Sequence, residues 1–303
     1  MEFGRVDNLE AVDFTLPADH PATAGVLHTA RKSNSQVPKV YVGCAKWGRK
    51  EWVGKIYPTG TQEKDYLKYY VKSYNSIELN AVHYRIPPAS WLIRWKSLAG
   101  RDFHFCPKIY QQISHIRRLR NAERITEIFL ERMSLLEKNL GMIFLQLPPN
   151  FSPREFPNLA SYLRALPLHR FSFAVEFRHP DWFKPSAIHE ETFHLLTELG
   201  ISAVITDAAG RRDVLHQRLT TPVAFIRFVG NSLHPSDYSR LDAWVERCRD
   251  WLQQGLQVVY FFLHHHDERY SPELSAYLVR RMNAVCKLHL KQPIWVGKPE
   301  GKI

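Results

Sequence analysis

The chain has 303 residues, 45% of them hydrophobic and 23% charged. That composition excludes a disordered chain and permits one large core, and α/β barrels of ~250 residues fold as single units. Lysine plus arginine total 41 against 30 aspartate plus glutamate, a formal charge of +11. Such a balance favours anionic partners (phosphorylated metabolites, nucleic acid or an acidic surface), although solubility alone accounts for it equally well.

The N-terminus, Met1-Glu2-Phe3-Gly4-Arg5 followed by Asp7, Glu10, Asp13 and Asp19, has the pattern of neither a secretory signal nor a transit peptide. No stretch approaches the ~18 apolar residues that span a bilayer. The cysteines, Cys44, Cys106, Cys248 and Cys286, have no metal-knuckle or C-x-x-C spacing. Three of them sit in apolar patterns, so a reduced cytoplasmic location is expected. Residues 1–38, with Pro17, Pro21, Pro38 and a Ser-Asn-Ser patch at 33–35, read as an extension packed on the main domain.

From residue 39 a rhythm begins. Runs rich in β-formers recur at 39–44, 76–81, 104–109, 142–147, 173–177, 202–207, 224–229 and 258–263. Several are nearly continuous apolar runs, as in strands buried on both faces. Pro107 implies a bulge or an early strand end. Helical periods lie between most of these runs. In 122–140, Ile125, Ile128, Phe129, Leu136 and Leu140 share a face. A further helix runs from near Ser186 to Gly200, whereas 208–223 has no helical period and reads as a loop or short turn. In 239–254, Leu241, Trp244, Val245, Cys248, Trp251 and Leu252 share a face. Ser239 with Asp242 resembles a capping box, and Gly255 suits the residue after the helix. Ser271-Pro272 starts the last helix.

Eight strands alternating with crossover helices predict a (β/α)₈ TIM-type barrel over 39–290, with a tail at 291–303. A doubly wound open sheet is the competing fold. Its glycine-rich phosphate turn is missing, because the first turn reads Gly43-Cys44-Ala45-Lys46-Trp47-Gly48.

In such a barrel the site lies at the strand C-termini. The polar groups there are Glu78 and Asn80, Lys108 with Ser114-His115, Gln146, Glu176 and Arg178 with His179, Asp181 and Trp182, Asp207, Arg227, and His264, His265 and His266. A carboxylate pointing into a barrel needs a cation or hydrogen-bond donors, and Lys108, Arg178 and Arg227 are candidates at similar height. The plain alternatives are structural ion pairs for the charged groups, a core amide for Gln146, and apolar caps for Trp47 and Trp182. For His264 to His266 the plain alternative is a polar loop, and for Arg117, Arg118 and Arg120 a solvated helix approach. Carboxylates plus histidine at strand ends leave a divalent metal open, but no metal is assigned and the cations argue against a bare metal cage. No G-x-S-x-G elbow or P-loop is present.

An ordered chain of motifs runs through these residues. It comprises Val42-Gly43 with Trp47, Trp52 with Gly54 and Tyr57-Pro58, and Ile77-Glu78-Leu79-Asn80 with Tyr84-Arg85 and Pro87. Phe105 with Lys108, Ser114-His115, and Gly141 with Gln146-Leu147-Pro148-Pro149 follow, then Glu176-Phe177-Arg178-His179 with Trp182, Asp207 and Ile226-Arg227. In these the sequence resembles the YecE-like family, domain of unknown function 72, from about residue 39 to about 285. The resemblance implies a TIM-type barrel with these residues at its mouth and no settled activity. The barrel is similar to those of metal-dependent endonucleases and sugar isomerases, which is analogy at the level of fold alone. Two places depart from the family: Arg227-Phe228-Val229-Gly230 stands for Arg-x-His-Gly, and Phe262-Leu263-His264-His265 for Phe-x-Asn.

The resulting expectation is an enzyme-like barrel acting on a phosphate-bearing or other anionic substrate. Glu176 would be the main acid/base group, with Glu78 or Asp207 as partner. Lys108, Arg178 and Arg227 would fix the anion. Asn80, His115, Gln146, Trp182 and Tyr84 would contact the substrate. The alternatives are a nucleic-acid-binding barrel and a barrel that binds a metabolite without catalysis.

Overall fold

A computed structural model describes residues 4–33 and 37–297. Met1-Glu2-Phe3, Asn34 and Ser35 of the Ser-Asn-Ser patch, and the end of the tail lie outside the described residues.

The elements run in order: α1 (Pro21–Ser33), β1 (Lys39–Cys44), α2 (Tyr66–Ser73), β2 (Ser76–Leu79), α3 (Ala81–Tyr84), α4 (Ala89–Leu98), β3 (His104–Pro107), α5 (Glu123–Ser134), β4 (Ile143–Gln146), α6 (Phe156–Arg164), β5 (Phe173–Glu176), α7 (Ala187–Glu198), β6 (Ser202–Asp207), β7 (Val223–Gly230), α8 (Pro235–Gln254), β8 (Val258–His265) and α9 (Ser271–Cys286). The named strands pair in parallel. Six of them form one sheet, ordered β1-β8-β7-β6-β5-β4, which curls into half a barrel, while β2 and β3 form a sheet of two.

The expected single eight-stranded ladder is therefore replaced by two sheets, and the joins have a physical cause. Facing β2, the backbone of β1 is satisfied by side chains. Asn75 accepts from the Val42 amide at 2.7 Å and donates to the Val40 carbonyl at 2.8 Å. The Tyr70 hydroxyl accepts from the Cys44 amide at 2.8 Å and donates to the Ser76 carbonyl at 2.9 Å. Gly43 permits this approach, since a Cβ there would meet the Ser76 oxygen at 2.1 Å. Between β3 and β4 the contact is reduced to the bridges Phe105 to Leu140 and Lys108 to Phe144. Strand β3 stops at Pro107, which brings no amide to a ladder.

Side chains alternate across the curled sheet. On the concave side Tyr41, Cys106, Phe144, Ala174, Val204, Phe225, Tyr260 and Phe262 form an apolar plug. The opposite faces carry residues such as Ile205, Ile226 and Phe261, which pack under the helices. One step towards the C-terminal ends the concave positions turn polar: Glu78, Gln146, Glu176, Thr206, Arg227 and His264, all buried.

Helix α1 packs on the sheet domain. Leu27 of α1 is fully buried, which is worth roughly 1.5–3 kcal/mol. The Trp251 indole donates to Asp19 at 2.9 Å. Gly255 ends α8 at φ 125 and lies against α1, where a Cβ would sit 2.4 Å from the Leu27 carbonyl oxygen.

Three local expectations need correction. Helix α8 starts at Pro235, capped by the His234 side chain, so Ser239 and Asp242 are interior. Asp242 instead accepts from Arg281 at 2.7 Å and from the Tyr277 hydroxyl at 3.0 Å. Helix α5 ends at Ser134, and a separate 3₁₀ turn at Glu137–Asn139 follows. Strand β8 runs through His265, so His264 and His265 belong to a buried strand, not a loop. Segment 208–223 holds only a 3₁₀ turn, Ala209–Val214, as its missing period implies. Among the described residues no helix is long and apolar enough to cross a membrane.

Candidate active site at the strand C-termini

Glu78 and Arg227 come from different sheets and meet across the hollow. Arg227 donates through Nε to Glu78 Oε2 and through Nη2 to Oε1, each at 2.8 Å. Its Nη1 donates to Glu176 Oε2 at 2.7 Å. One guanidinium thus ties β2, β5 and β7 together, and the paired N–H bonds fix its plane. Glu176 also accepts from Arg178 Nε at 2.9 Å and from Gln146 Nε2 at 2.8 Å. Gln146 and Glu176 are register partners on β4 and β5. With its nitrogen spent on Glu176, the Gln146 amide turns its oxygen to Lys108, whose Nζ donates at 2.6 Å. Glu78 accepts further bonds from Asn80 at 2.8 Å and from His264 Nε2 at 2.9 Å.

This network has a definite charge state. Burial pushes the Glu176 carboxyl up, but Arg178 and Arg227 outweigh it and hold the group at about 2. Burial likewise opposes ionisation of Glu78, and Arg227 with His264 holds it well below the usual carboxylate range. Lys108 goes the other way: burial, then the neighbouring Arg227, push its ammonium down to about 7. The two carboxylates are engaged by Arg227, Arg178 and His264, and Lys108 stands outside these pairs as a cation that titrates near neutrality.

Two histidines line the Lys108 side. His83 meets the Ile109 carbonyl through Nδ1 at 2.6 Å, and its ring centroid lies 4.9 Å from that of His115. His115 pairs with Ser114 Oγ at 2.8 Å. Burial and Lys108 lower His83 to about 3 and His115 to about 4, so both rings are neutral at pH 7.

Of the remaining residues expected at the site, Asp207 and Trp182 lie elsewhere. Asp207 follows Thr206 on β6, so it faces the helices. It accepts from Arg240 Nη2 at 2.7 Å, from the Trp244 indole at 2.7 Å and from Arg212 Nη1 at 2.5 Å. Trp182 is fully buried, donates to the Phe151 carbonyl at 2.7 Å and packs on Phe177. Tyr84 is exposed and, with Lys46, Trp47, Trp91, Arg94 and Trp95, lines a cavity of ≈ 770 Å³ that reaches Glu78 and Asn80. Arg118 pairs with Glu155 and Asn150 and so stitches two loops.

His264 stands among the polar groups at the strand ends with no role assigned to it, and His83 is not singled out by the sequence. Alternation counted from Phe262 puts His264 on the concave side. His83 carried no comparable signal, because it sits in a helical turn after β2. Among the described residues one group has metal-ligand spacing: His20, His189 and Glu190, with ligand atoms within 4.8 Å of one another. It lies away from the mouth, and Arg218 already donates to Glu190 at 2.9 Å and contacts His189 Nε2 at 3.2 Å and His20 Nε2 at 3.4 Å.

The molecule is thus a curled parallel α/β fold with a buried carboxylate–guanidinium network at its strand C-termini. The chain belongs to the family described as Protein of unknown function DUF72, which it matches over residues 41–295. It is 31% identical over 253 residues to the UPF0759 protein YecE of Escherichia coli, covering 78% of this chain and 89% of that protein. It is 28% identical over 169 residues to the UPF0759 protein YunF of Bacillus subtilis, covering 53% of this chain and 58% of that protein. Among solved structures it is similar to a DUF72 family protein from Enterococcus faecalis, with TM-score 0.66 and 17% identity over 87% of this chain and 100% of that one. A DUF72 family protein from Thermotoga maritima gives TM-score 0.63 and 23% identity over 81% of this chain and 99% of that one.

Proposed function

We propose that the mouth of this fold is the active site of an enzyme acting on a phosphate-bearing or other anionic substrate. The observation that carries the reading is the charge arrangement around Arg227: Glu78 and Glu176 are engaged by Arg227, Arg178 and His264, while Lys108 stands outside these pairs as a cation held by a neutral amide. An anion arriving there pairs with that cation in a water-poor site, where electrostatic attraction is strong. In this reading Glu176 and Glu78 remain site residues, but as fixed anions that aim Arg227, Gln146 and Arg178. A carboxyl held at about 2 is a weak base at pH 7, so proton transfer falls to Lys108. Asn80, Gln146, His115 and Tyr84 contact the substrate. Asp207 and Trp182 support the frame from outside.

The same reading takes the two sheets as one closed eight-stranded barrel of the TIM type, with 1–38 as an extension and 291–303 as a tail. The bridges between β3 and β4 and the Asn75 clamp between β1 and β2 support closure. Buried free thiols at Cys44, Cys106 and Cys248 favour a reducing, cytoplasmic setting. The test is ligand screening by calorimetry with matched phosphorylated and unphosphorylated metabolites. The phosphorylated member should bind at least about tenfold more tightly to wild type and lose that advantage in Lys108→Met. Equal binding of both members rules the reading out.

A second reading, a nucleic-acid-binding surface, is favoured by one observation. Exposed Trp91 and Tyr84 stand with Lys46, Lys64 and Arg94 around the ≈ 770 Å³ cavity, a mixture suited to stacking bases and tracking phosphates. It predicts affinity for a single-stranded oligonucleotide that falls steeply with salt. Absence of binding at low salt rules it out.

A further inference from the structure

Lys108 has an environment unlike that of an ion-paired lysine. The residue is 8% exposed, and Nζ makes one hydrogen bond, to the Gln146 oxygen. Among the described residues no carboxylate lies within ion-pair distance of it. Glu176 is already occupied by Arg178, Arg227 and Gln146. The Gln146 amide is locked in orientation by Glu176, so the lysine is anchored by an acceptor that does not require it to be charged. The neighbours Arg178 and Arg227 are cations and disfavour a second charge, and the rings of His83 and His115 stand beside it.

We infer that Lys108 Nζ is an imine-forming nucleophile for an aldehyde or ketone that also carries an anionic group. The amine lone pair attacks the carbonyl carbon and a C–N bond forms. The oxygen then takes up both nitrogen-bound protons and leaves as water, and the product is a neutral C=N linkage. The same burial and the same Arg227 charge that push the ammonium down to about 7 leave about half of it as free amine at neutral pH. An exposed lysine, near pKa 10.4, has roughly one free amine in a few thousand there. A desolvated lysine beside other cations is a recognised way to make this nucleophile. Once its nitrogen takes up a proton from water, the imine draws electrons from the adjacent carbon, so the reaction class is cleavage of a carbon–carbon or carbon–hydrogen bond next to the former carbonyl. The anionic group rests on the proposed function; the nucleophile does not.

The experiment treats the intact wild-type protein with two aldehydes in parallel, pyridoxal 5′-phosphate and neutral benzaldehyde. Cyanoborohydride supplies hydride to the imine and fixes it as a stable amine. Peptide mass spectrometry then ranks the lysines by labelling rate from pH 6 to 10, with the many exposed lysines as internal controls. At pH 7 Lys108 should react with both aldehydes at least about tenfold faster than the exposed lysines, and its rate should level off above pH 8 while theirs keep rising. If Lys108 is unlabelled by both aldehydes while exposed lysines react, the nucleophile inference is overturned. If it is labelled first by both but shows no preference for the phosphorylated aldehyde, the nucleophile stands and its carbonyl partner carries no anionic group.

Discussion

Glu176 and Asp207 end neighbouring strands, both are buried and both are met by two arginines, yet the two clusters have different characters. Around Asp207 the oxygens are saturated by Arg240, Arg212 and the Trp244 indole, and α8 covers the group on the outer face of the sheet, away from the hollow. Around Glu176 the donors lead onward, through Gln146 to Lys108 and through Arg227 to Glu78 and His264. The Asp207 cluster is a clasp between sheet and helix. The Glu176 cluster is an open chain with a titratable end. Burial and an arginine partner are therefore not enough to mark a functional carboxylate, and the side of the strand it faces decides.

The largest expected effect comes from breaking the shared guanidinium. Arg227→Met leaves Glu78 and Glu176 buried without their common partner and should lower stability by about 3–5 kcal/mol, read from urea unfolding. A loss under about 1 kcal/mol would mean that the hollow is far wetter than the hydrogen bonding implies. Asp207→Asn keeps the shape but removes the charge facing Arg240 and Arg212, and should cost about 2–3 kcal/mol. It should leave anion binding at the mouth unchanged, and altered binding would erase the contrast between the two clusters.

The pH dependence of stability sharpens the contrast and carries opposite signs at the two ends of the network. Glu176 has a depressed folded value, so its contribution is present above about 4.5, its ordinary value, and is lost as pH falls towards about 2. The stability of Glu176→Gln should fall less steeply over that window. Lys108 is also depressed, but it is a base. Between about pH 7 and 10.5 the unfolded chain holds a proton that the folded chain lacks, so stability rises with pH across that range. Lys108→Met should remove that rise, which is on the order of a few kcal/mol. The smallest effect is expected outside both clusters: Trp91→Ala, at an exposed position, should change stability by no more than about 0.5 kcal/mol.

Much of this arrangement is legible in the residues. Eight buried strand runs announce the parallel α/β architecture, and Glu78, Lys108, Gln146, Glu176, Arg178 and Arg227 can be picked out because charges at the ends of apolar runs need partners. Asp207 reads as one of them because it ends a strand. Counting parity from Val204 would have turned it outward, and the indole of Trp244 on the covering helix had no visible link to it. The role of His264 is not legible, because the apolar run ends at Leu263 and the three histidines after it read as a polar loop. The split into two sheets was not legible at all, because it depends on side chains of Asn75 and Tyr70 replacing ladder hydrogen bonds, and hydrophobic pattern does not report that. Pro107, by contrast, signalled the short third strand directly.

The central claim is that the spare cation at the mouth belongs to Lys108 and sets the affinity for anions. Sulfate tests it most directly, since its charge is constant across the pH range in question. Calorimetric titration of wild type and Lys108→Met at pH 6 and at pH 8.5 should show wild type binding sulfate at least about tenfold more tightly at the lower pH. The variant should bind weakly and equally at both. Affinity in wild type that ignores pH, or a variant that matches wild type at pH 6, would contradict it.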